Sequence, residues 1–160
     1  MKTKINKTNA IRVLDTLNIE YQLREYEVDD QHLGAAHVAA ALGVNSEDIY
    51  KTLVLQGSEI PYIVAVIPSN MNIDMKKLAK VSGNKNVEML PLQDLFQTTG
   101  YIRGGCSPIG MKKPFPTYIE SLATLQNNIC VSAGKRGLQV ILSPTDLASV
   151  TTAQFEDIAI

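Results

Sequence analysis

Apolar residues return at helical spacing at Ala10, Ile11, Val13, Leu14 and Leu17, behind Thr8, a natural N-cap, and ahead of Asn18. Residues 21–26 then alternate like a half-buried strand. Residues 34–42 are alanine-rich and stop at Gly43, which predicts a helix with a C-terminal glycine, and Ser46-Glu47-Asp48 reads as the acidic cap of a further turn. Residues 51–56 and 61–67 predict two strands joined by a short turn at Gly57-Ser58. The second is apolar at both parities, so it belongs at the centre of a sheet. Asp74 can cap a helix over 75–81 that ends at Gly83, 87–90 is a short strand, and Pro91 suits the first helical position ahead of 92–97. Strands follow at 117–119, 129–132 and 138–142, and Ser143-Pro144-Thr145-Asp146-Leu147 opens a C-terminal helical region. Short strands mixed with short helices, without strict alternation, predict a mixed α+β (α/β) fold with a central mixed sheet surrounded by helices.

Nothing in the 160 residues divides this pattern: no Pro/Ser-rich linker, low-complexity tract or repeat interrupts it, so one domain over 1–160 is expected. A composition of 45% hydrophobic and 19% charged residues is that of a globular chain. No apolar run approaches the roughly 18–20 residues of a membrane helix, and the positive start has no apolar stretch behind it, so no membrane association and a cytoplasmic location are expected. Cys106 and Cys130 fit neither a disulfide framework nor a zinc spacing, and His32 and His37 would diverge on a helix. Neither a metal nor any other cofactor is expected.

Net charge is only −1, but its distribution is uneven. Residues 1–94 carry ten Lys/Arg and twelve Asp/Glu, residues 95–145 carry five and one, and residues 146–160 carry none and three. Glu120 is the sole acid among Arg103, Lys112, Lys113, Lys135 and Arg136. Such a segment is either a solvated basic face or a surface for an anionic ligand.

Chemistry concentrates in residues 100–113, where four of the ten glycines fall within eleven positions. Glycine admits positive φ and close backbone approach, so this stretch reads as a phosphate or oxyanion cradle, or as a sharp connection. Its spacing matches neither a P-loop nor a dinucleotide fingerprint. Lys51, at a strand start beside Tyr50, can meet a phosphate or carbonyl as a point charge, or be simply solvated. The turn Ser132-Ala133-Gly134-Lys135-Arg136-Gly137 joins two strands and carries two cations. There is no nucleophile elbow and no His placed to activate Cys106. A site without an acid–base dyad would act by positioning and by oxyanion stabilisation, which suits an activated ester.

Tyr50-Lys51-Thr52-Leu53, the run Gly100-Tyr101-x-x-Gly104-Gly105-x-Ser107-Pro108-x-Gly110-x-Lys112-Lys113, and Val131-Ser132-Ala133-Gly134-Lys135-Arg136-Gly137-Leu138 together resemble the bacterial aminoacyl-tRNA deacylases of the YbaK/EbsC type. These are free-standing relatives of the editing domain inserted in bacterial prolyl-tRNA synthetase. The resemblance runs from about residue 8 to the C-terminus and implies a partly barrel-like mixed sheet. It also implies removal of cysteine from Cys-tRNA(Pro), with Cys-tRNA(Cys) as a further candidate substrate, by attack of the substrate's own thiol on its ester, with prolyl-tRNA synthetase as a transient partner. Cysteine and proline are close in size, and shape alone discriminates only ~10–200-fold, so a second site is needed. By this resemblance Lys51 is the critical cation. Gly104, Gly105, Cys106, Ser107, Pro108 and Gly110 form the loop beside the ester, and Tyr26, Ser132, Gly134 and Arg136 complete the substrate contacts. Two departures stand out: Gln139 occupies a position that is acidic in several relatives, and 31–34 is no clear match. The competing functions are a water-dependent Ala-tRNA(Pro) hydrolase and a silent nucleotide- or tRNA-binding module of the same fold.

Overall fold

The computed structural model describes residues 7–27 and 35–160, with the side chains of residues 35 and 36 left aside. Residues 31–34, including His32, lie outside the described residues. Thr8 caps helix α1 (Asn9–Thr16), accepting from the Ile11 N–H, and the buried stripe of α1 is Ala10, Ile11 and Leu14. Strand β1 (Gln22–Glu25) and helix α2 (Ala35–Leu42) follow, the latter ending at Gly43 with φ of 73°. After a 3-10 turn at Ser46–Asp48, strands β2 (Tyr50–Gly57) and β3 (Tyr62–Pro68) form an antiparallel pair. Helix α3 (Met75–Ser82) is capped by Asp74 and closed by Gly83, and strand β4 (Val87–Met89) pairs with the end of β2.

Pro91 departs from expectation: it precedes a 3-10 turn (Leu92–Asp94) as its cap, and α4 (Leu95–Thr99) starts only after it. Strand β5 (Thr117–Glu120), a 3-10 turn (Ser121–Leu125), β6 (Ile129–Ser132), β7 (Leu138–Leu142) and α5 (Pro144–Thr151) complete the expected elements. The C-terminal region is not helical throughout: β8 (Gln154–Glu156) adds a strand parallel to β5.

The mixed α+β class holds, and the sheet is built in two parts. One has the order β1-β7-β6, the other β4-β2-β3-β5-β8. Among the described residues a single parallel bridge, Ile49 to Cys130, joins them beside β6 and β2. β3 sits inside the five-stranded sheet, with every residue from Ile63 to Pro68 buried, which accounts for its apolar pattern at both parities. The main core lies between the sheets and unites Tyr50, Val64 and Val66 with Val131, Leu138 and Val140 under α1 and α5. A second cluster packs α3 and the C-terminus on the far face of β2–β3, and a third packs α2 on Ile49 and Cys130.

Glu120 explains the one acid in the basic segment. It is 2% exposed, and its oxygens accept from the N–H groups of Leu122 at 2.7 Å and of Ile158 and Ala159 at 3.0 Å each. This carboxylate ties β5 to the C-terminus and is spent on backbone N–H groups rather than on the cations of 95–145.

Candidate active site

Strand alternation sorts the side chains of β2 onto two faces. Tyr50 points into the main core, whereas Ile49 and Lys51 share the opposite, outer face with Leu53. Ile49 is bridged in parallel to Cys130, and Ser132 lies two residues beyond Cys130 as Lys51 lies two beyond Ile49. Ser132 is paired with Gln139, and Gln139 with Arg24. The registers therefore set Arg24, Gln139, Ser132 and Lys51 at one level on the outer face, across the seam between the two sheets. Tyr26 has the same parity as Arg24; its ring packs against the α2 cluster, and its N–H donates to Gly137 O at 2.9 Å.

Three buried side-chain oxygens among the described residues lack a hydrogen-bond partner: Asp48 Oδ1 and Gln139 Oε1 near this seam, and Thr52 Oγ1, which by strand parity lies on the Tyr50 face of β2. A buried acceptor left unpaired costs about 1–3 kcal/mol, so each of these oxygens calls for a donor from water or a ligand. Gln139 is the sharpest case, 8% exposed in the middle of the row.

The glycine loop reaches the row through the β6–β7 turn. Gly100 ends α4 in the left-handed region, and the Tyr101 hydroxyl closes the loop by donating to Ile109 O at 2.6 Å. A Cβ at Gly105 would stand 2.8 Å from Lys135 Cα and 2.9 Å from Arg136 N, so two stretches of backbone are in direct contact here. Arg136 runs along Gly104, and Gly134, with φ of 106°, packs on the Tyr101 ring and Thr8. Two of the loop's N–H groups are spent within the loop. Gly105 N–H is spent on Ile102 O at 3.0 Å, and Ile109 N–H on Ser107 Oγ at 3.2 Å. Ser107 and Pro108 are buried and Ile109 belongs to the core, so this half anchors the loop. Gly110 presses on Asn9 and Ala10 of α1.

The pattern of the aminoacyl-tRNA editing domain matches residues 31–150. A protein of Enterococcus faecalis named as a Cys-tRNA(Pro)/Cys-tRNA(Cys) deacylase, EbsC, is 53% identical over 152 residues, covering 95% of this chain and 93% of that one. The chain belongs to the aminoacyl-tRNA editing domain family. An uncharacterized Bacillus subtilis protein, YwhH, is 26% identical over 82% of each chain. In fold the editing domain is similar to a crystal structure described as a trans-editing enzyme for prolyl tRNA synthetase, with a TM-score of 0.82 at 21% identity, covering 98% of this chain and 99% of that one. It is also similar to the hypothetical protein APE2540, with a TM-score of 0.85 at 19% identity over 96% and 100% of the two chains.

Electrostatics limit what the editing domain can do with its own groups. Burial pushes the Cys106 thiol up to about 11, against a smaller opposing hydrogen bond from Thr99, so it stays protonated at neutral pH and is a poor nucleophile. Lys112 is held to α4, its Nζ donating to Gln97 O at 3.3 Å and standing 5.1 Å from the Phe96 ring centroid. Arg103, Lys113, Lys135 and Arg136 are exposed along the loop and the turn it touches. Among the described residues no group of three His, Cys, Asp or Glu side chains could hold a metal, and no helix is long and apolar enough to cross a membrane. Gln139 and the unpaired oxygen of Asp48 are the features that motif reading missed as site elements. Gln139 was visible only as a departure from a pattern, because strand pairing is what places it beside Ser132.

Proposed function

We propose that this editing domain removes cysteine from Cys-tRNA(Pro), and from Cys-tRNA(Cys), at the seam between its two sheets. The observation that carries this reading is the row of Lys51, Ser132 and Gln139, with its unpaired buried acceptor, beside a loop whose cysteine is protonated. The enzyme supplies charge and placement, and the nucleophile comes from the substrate. The cysteinyl thiol attacks its own ester carbonyl; the C–S bond forms, the C–O bond to the ribose breaks, and the thiol proton ends on the ribose oxygen. The products are a cysteine thiolactone and free tRNA. Lys51 faces the ester or its neighbouring phosphate as a point charge, which favours the developing oxyanion. Gln139 Oε1 accepts from the substrate ammonium, a neutral amide standing where several relatives have an acidic residue. Gly104, Gly105 and Cys106 wall the aminoacyl pocket, while Ser107, Pro108 and Gly110 fix the loop that carries them. Tyr26, Gly134 and Arg136 complete that wall from β1 and the β6–β7 turn.

The exposed cations of 95–145 supply the attraction for the acceptor end. A few phosphate contacts bind weakly and fall off with salt, so prolyl-tRNA synthetase is the partner that would deliver the mischarged tRNA. Co-elution of the three from a sizing column at low salt tests the partnership; separate elution refutes it.

The deciding experiment incubates labelled Cys-tRNA(Pro), Ala-tRNA(Pro) and Cys-tRNA(Cys) with wild type and with Lys51→Ala. Loss of the cysteinyl esters alone, stopped by the substitution, is expected. Equal loss of the alanyl ester would replace the substrate thiol with water, and stable esters throughout would leave a binding module.

A further inference from the structure

Helix α4 turns an aromatic ring outward just ahead of the glycine loop. Phe96 is 57% exposed, and no residue of the site above accounts for it. A lone exposed apolar side chain needs no explanation, but this one is held in place. Lys112 backs the ring: its Nζ stands over it, 5.1 Å from the centroid, and donates to Gln97 O at 3.3 Å. The stem of the same lysine lies on Gly100, where a Cβ would come within 3.2 Å of Lys112 Cγ. A lysine pinned at three points orders one face of the ring and leaves the rest to solvent.

Charge around the ring has one sign. Arg103 and Lys113 are exposed on the loop that follows α4, and Glu120, the one acid of 95–145, is spent on backbone N–H groups. Asp94 lies two positions before Phe96, and residues two apart do not face each other on a helix. An aromatic face among cations fits a single strand of RNA. Bases stack on such rings whatever their identity, and the phosphates between them meet the cations. A protein partner fits less well, because lysine is depleted from the cores of protein interfaces and here it lies on the ring.

Position ties the ring to the site. Thr99 ends α4, and its hydroxyl hydrogen-bonds the Cys106 thiol in the wall of the aminoacyl pocket. Phe96 lies three residues earlier, about 4.5 Å along the helix axis. In an aminoacyl-tRNA the ester sits on the last ribose and the nucleotides before it are unpaired, so a strand leaving the pocket past Cys106 and Thr99 meets this ring next. Resting on the deacylase reading above, we infer that Phe96, backed by Lys112, is a stacking platform for an unpaired base preceding the terminal nucleotide of the tRNA.

The test uses the full chain and an uncharged RNA minihelix ending in unpaired CCA, so it reads binding without the chemistry. The chain has three phenylalanines, so labelled rings resolve Phe96 from Phe115 and Phe155, and Phe96→Leu assigns it. A saturable upfield shift of the Phe96 ring, from the ring current of a stacked base, is expected while the other two stay put. Affinity is read from the Gly100 amide in every protein. Phe96→Leu keeps an apolar side chain but has no π face, and should bind the minihelix about tenfold more weakly, whereas Phe96→Trp should bind at least as tightly as wild type. Melting temperatures check that both variants fold, as expected for a side chain more than half exposed. An unshifted ring, wild-type affinity in Phe96→Leu, or an equal loss in Phe96→Trp would overturn the inference. Normal RNA binding by Phe96→Leu with loss of co-elution with prolyl-tRNA synthetase would also overturn it, by assigning the surface to a protein. Deacylation of Cys-tRNA(Pro) is measured separately, so a failure there counts against the deacylase reading and leaves these binding outcomes readable.

Discussion

Replacing Gly105 by alanine separates the two roles of the glycine loop, its conformation and its contact. The added Cβ would stand 2.8–2.9 Å from the backbone of Lys135 and Arg136, distances real Cβ atoms do not show, and no flexible side-chain end is there to yield. The loop or the β6–β7 turn must move by several tenths of an ångström. Overpacking of this kind costs about 1–3 kcal/mol. For a chain of this size each kcal/mol lowers the melting temperature by roughly 2–4 °C, so Gly105→Ala should melt about 2–12 °C below wild type. Gly83→Ala is the control. Gly83 has φ of 75° with nothing within 4 Å of its Cβ position, so its cost is left-handed strain of about 1–2 kcal/mol at a site far from the seam. Thermal unfolding by circular dichroism, paired with deacylation of Cys-tRNA(Pro), reads both effects. Both variants should lose stability, and only Gly105→Ala should lose deacylation, by tenfold or more at a temperature where it is fully folded. A Gly105→Ala protein with wild-type rate, or with a melting temperature within about 1 °C of wild type, would refute the contact argument.

Lys51→Ala, which removes a half-buried side chain at a strand start, should abolish cysteinyl-ester loss while shifting the melting temperature by only a few degrees; a similar fall in activity and folded fraction would mean that Lys51 is structural. Cys106→Ala should retain deacylation. With a pKa near 11, only about one part in a thousand of this thiol is ionised at pH 8, so wild-type alkylation by iodoacetamide should run at least about a hundredfold slower than for free cysteine, and rapid labelling of Cys106 would contradict the burial argument. Glu120→Gln places an NH₂ group among N–H donors and should destabilise by about 1–3 kcal/mol, measured by urea unfolding, with no change in substrate preference.

The elements most legible in the sequence were those that end in local chemistry. Thr8, Asp74 and Ser143 cap their helices through their own side chains, and Gly43 and Gly83 sit where positive φ is needed. β8 escaped notice because Gln154-Phe155-Glu156 has no pattern of its own; pairing with β5 makes it a strand. Pro91 could be assigned to a helix start but not to which of two successive turns it begins. Of the site, Lys51, the glycine loop and the basic turn were readable as motifs, but not their assembly. That depends on the bridge at Ile49 and on the pairing of β1 with β7, which local patterns do not encode. Nor could charge counting reveal that Glu120 is spent on backbone N–H groups.

The pairing of β1 with β7 also sets a clock. Gln22 finds its partner in Ile141, near the opposite end of the chain, and the Lys51 row is incomplete until Gln139 arrives beside Ser132. A ribosome adding roughly 5–20 residues per second takes on the order of ten seconds to cover that interval, during which β1 exists without its sheet partner. The nascent chain therefore has no working pocket. Editing competence should switch on late and abruptly, after release of the C-terminal third, and chains truncated before β7 should be inert and exposed to proteolysis.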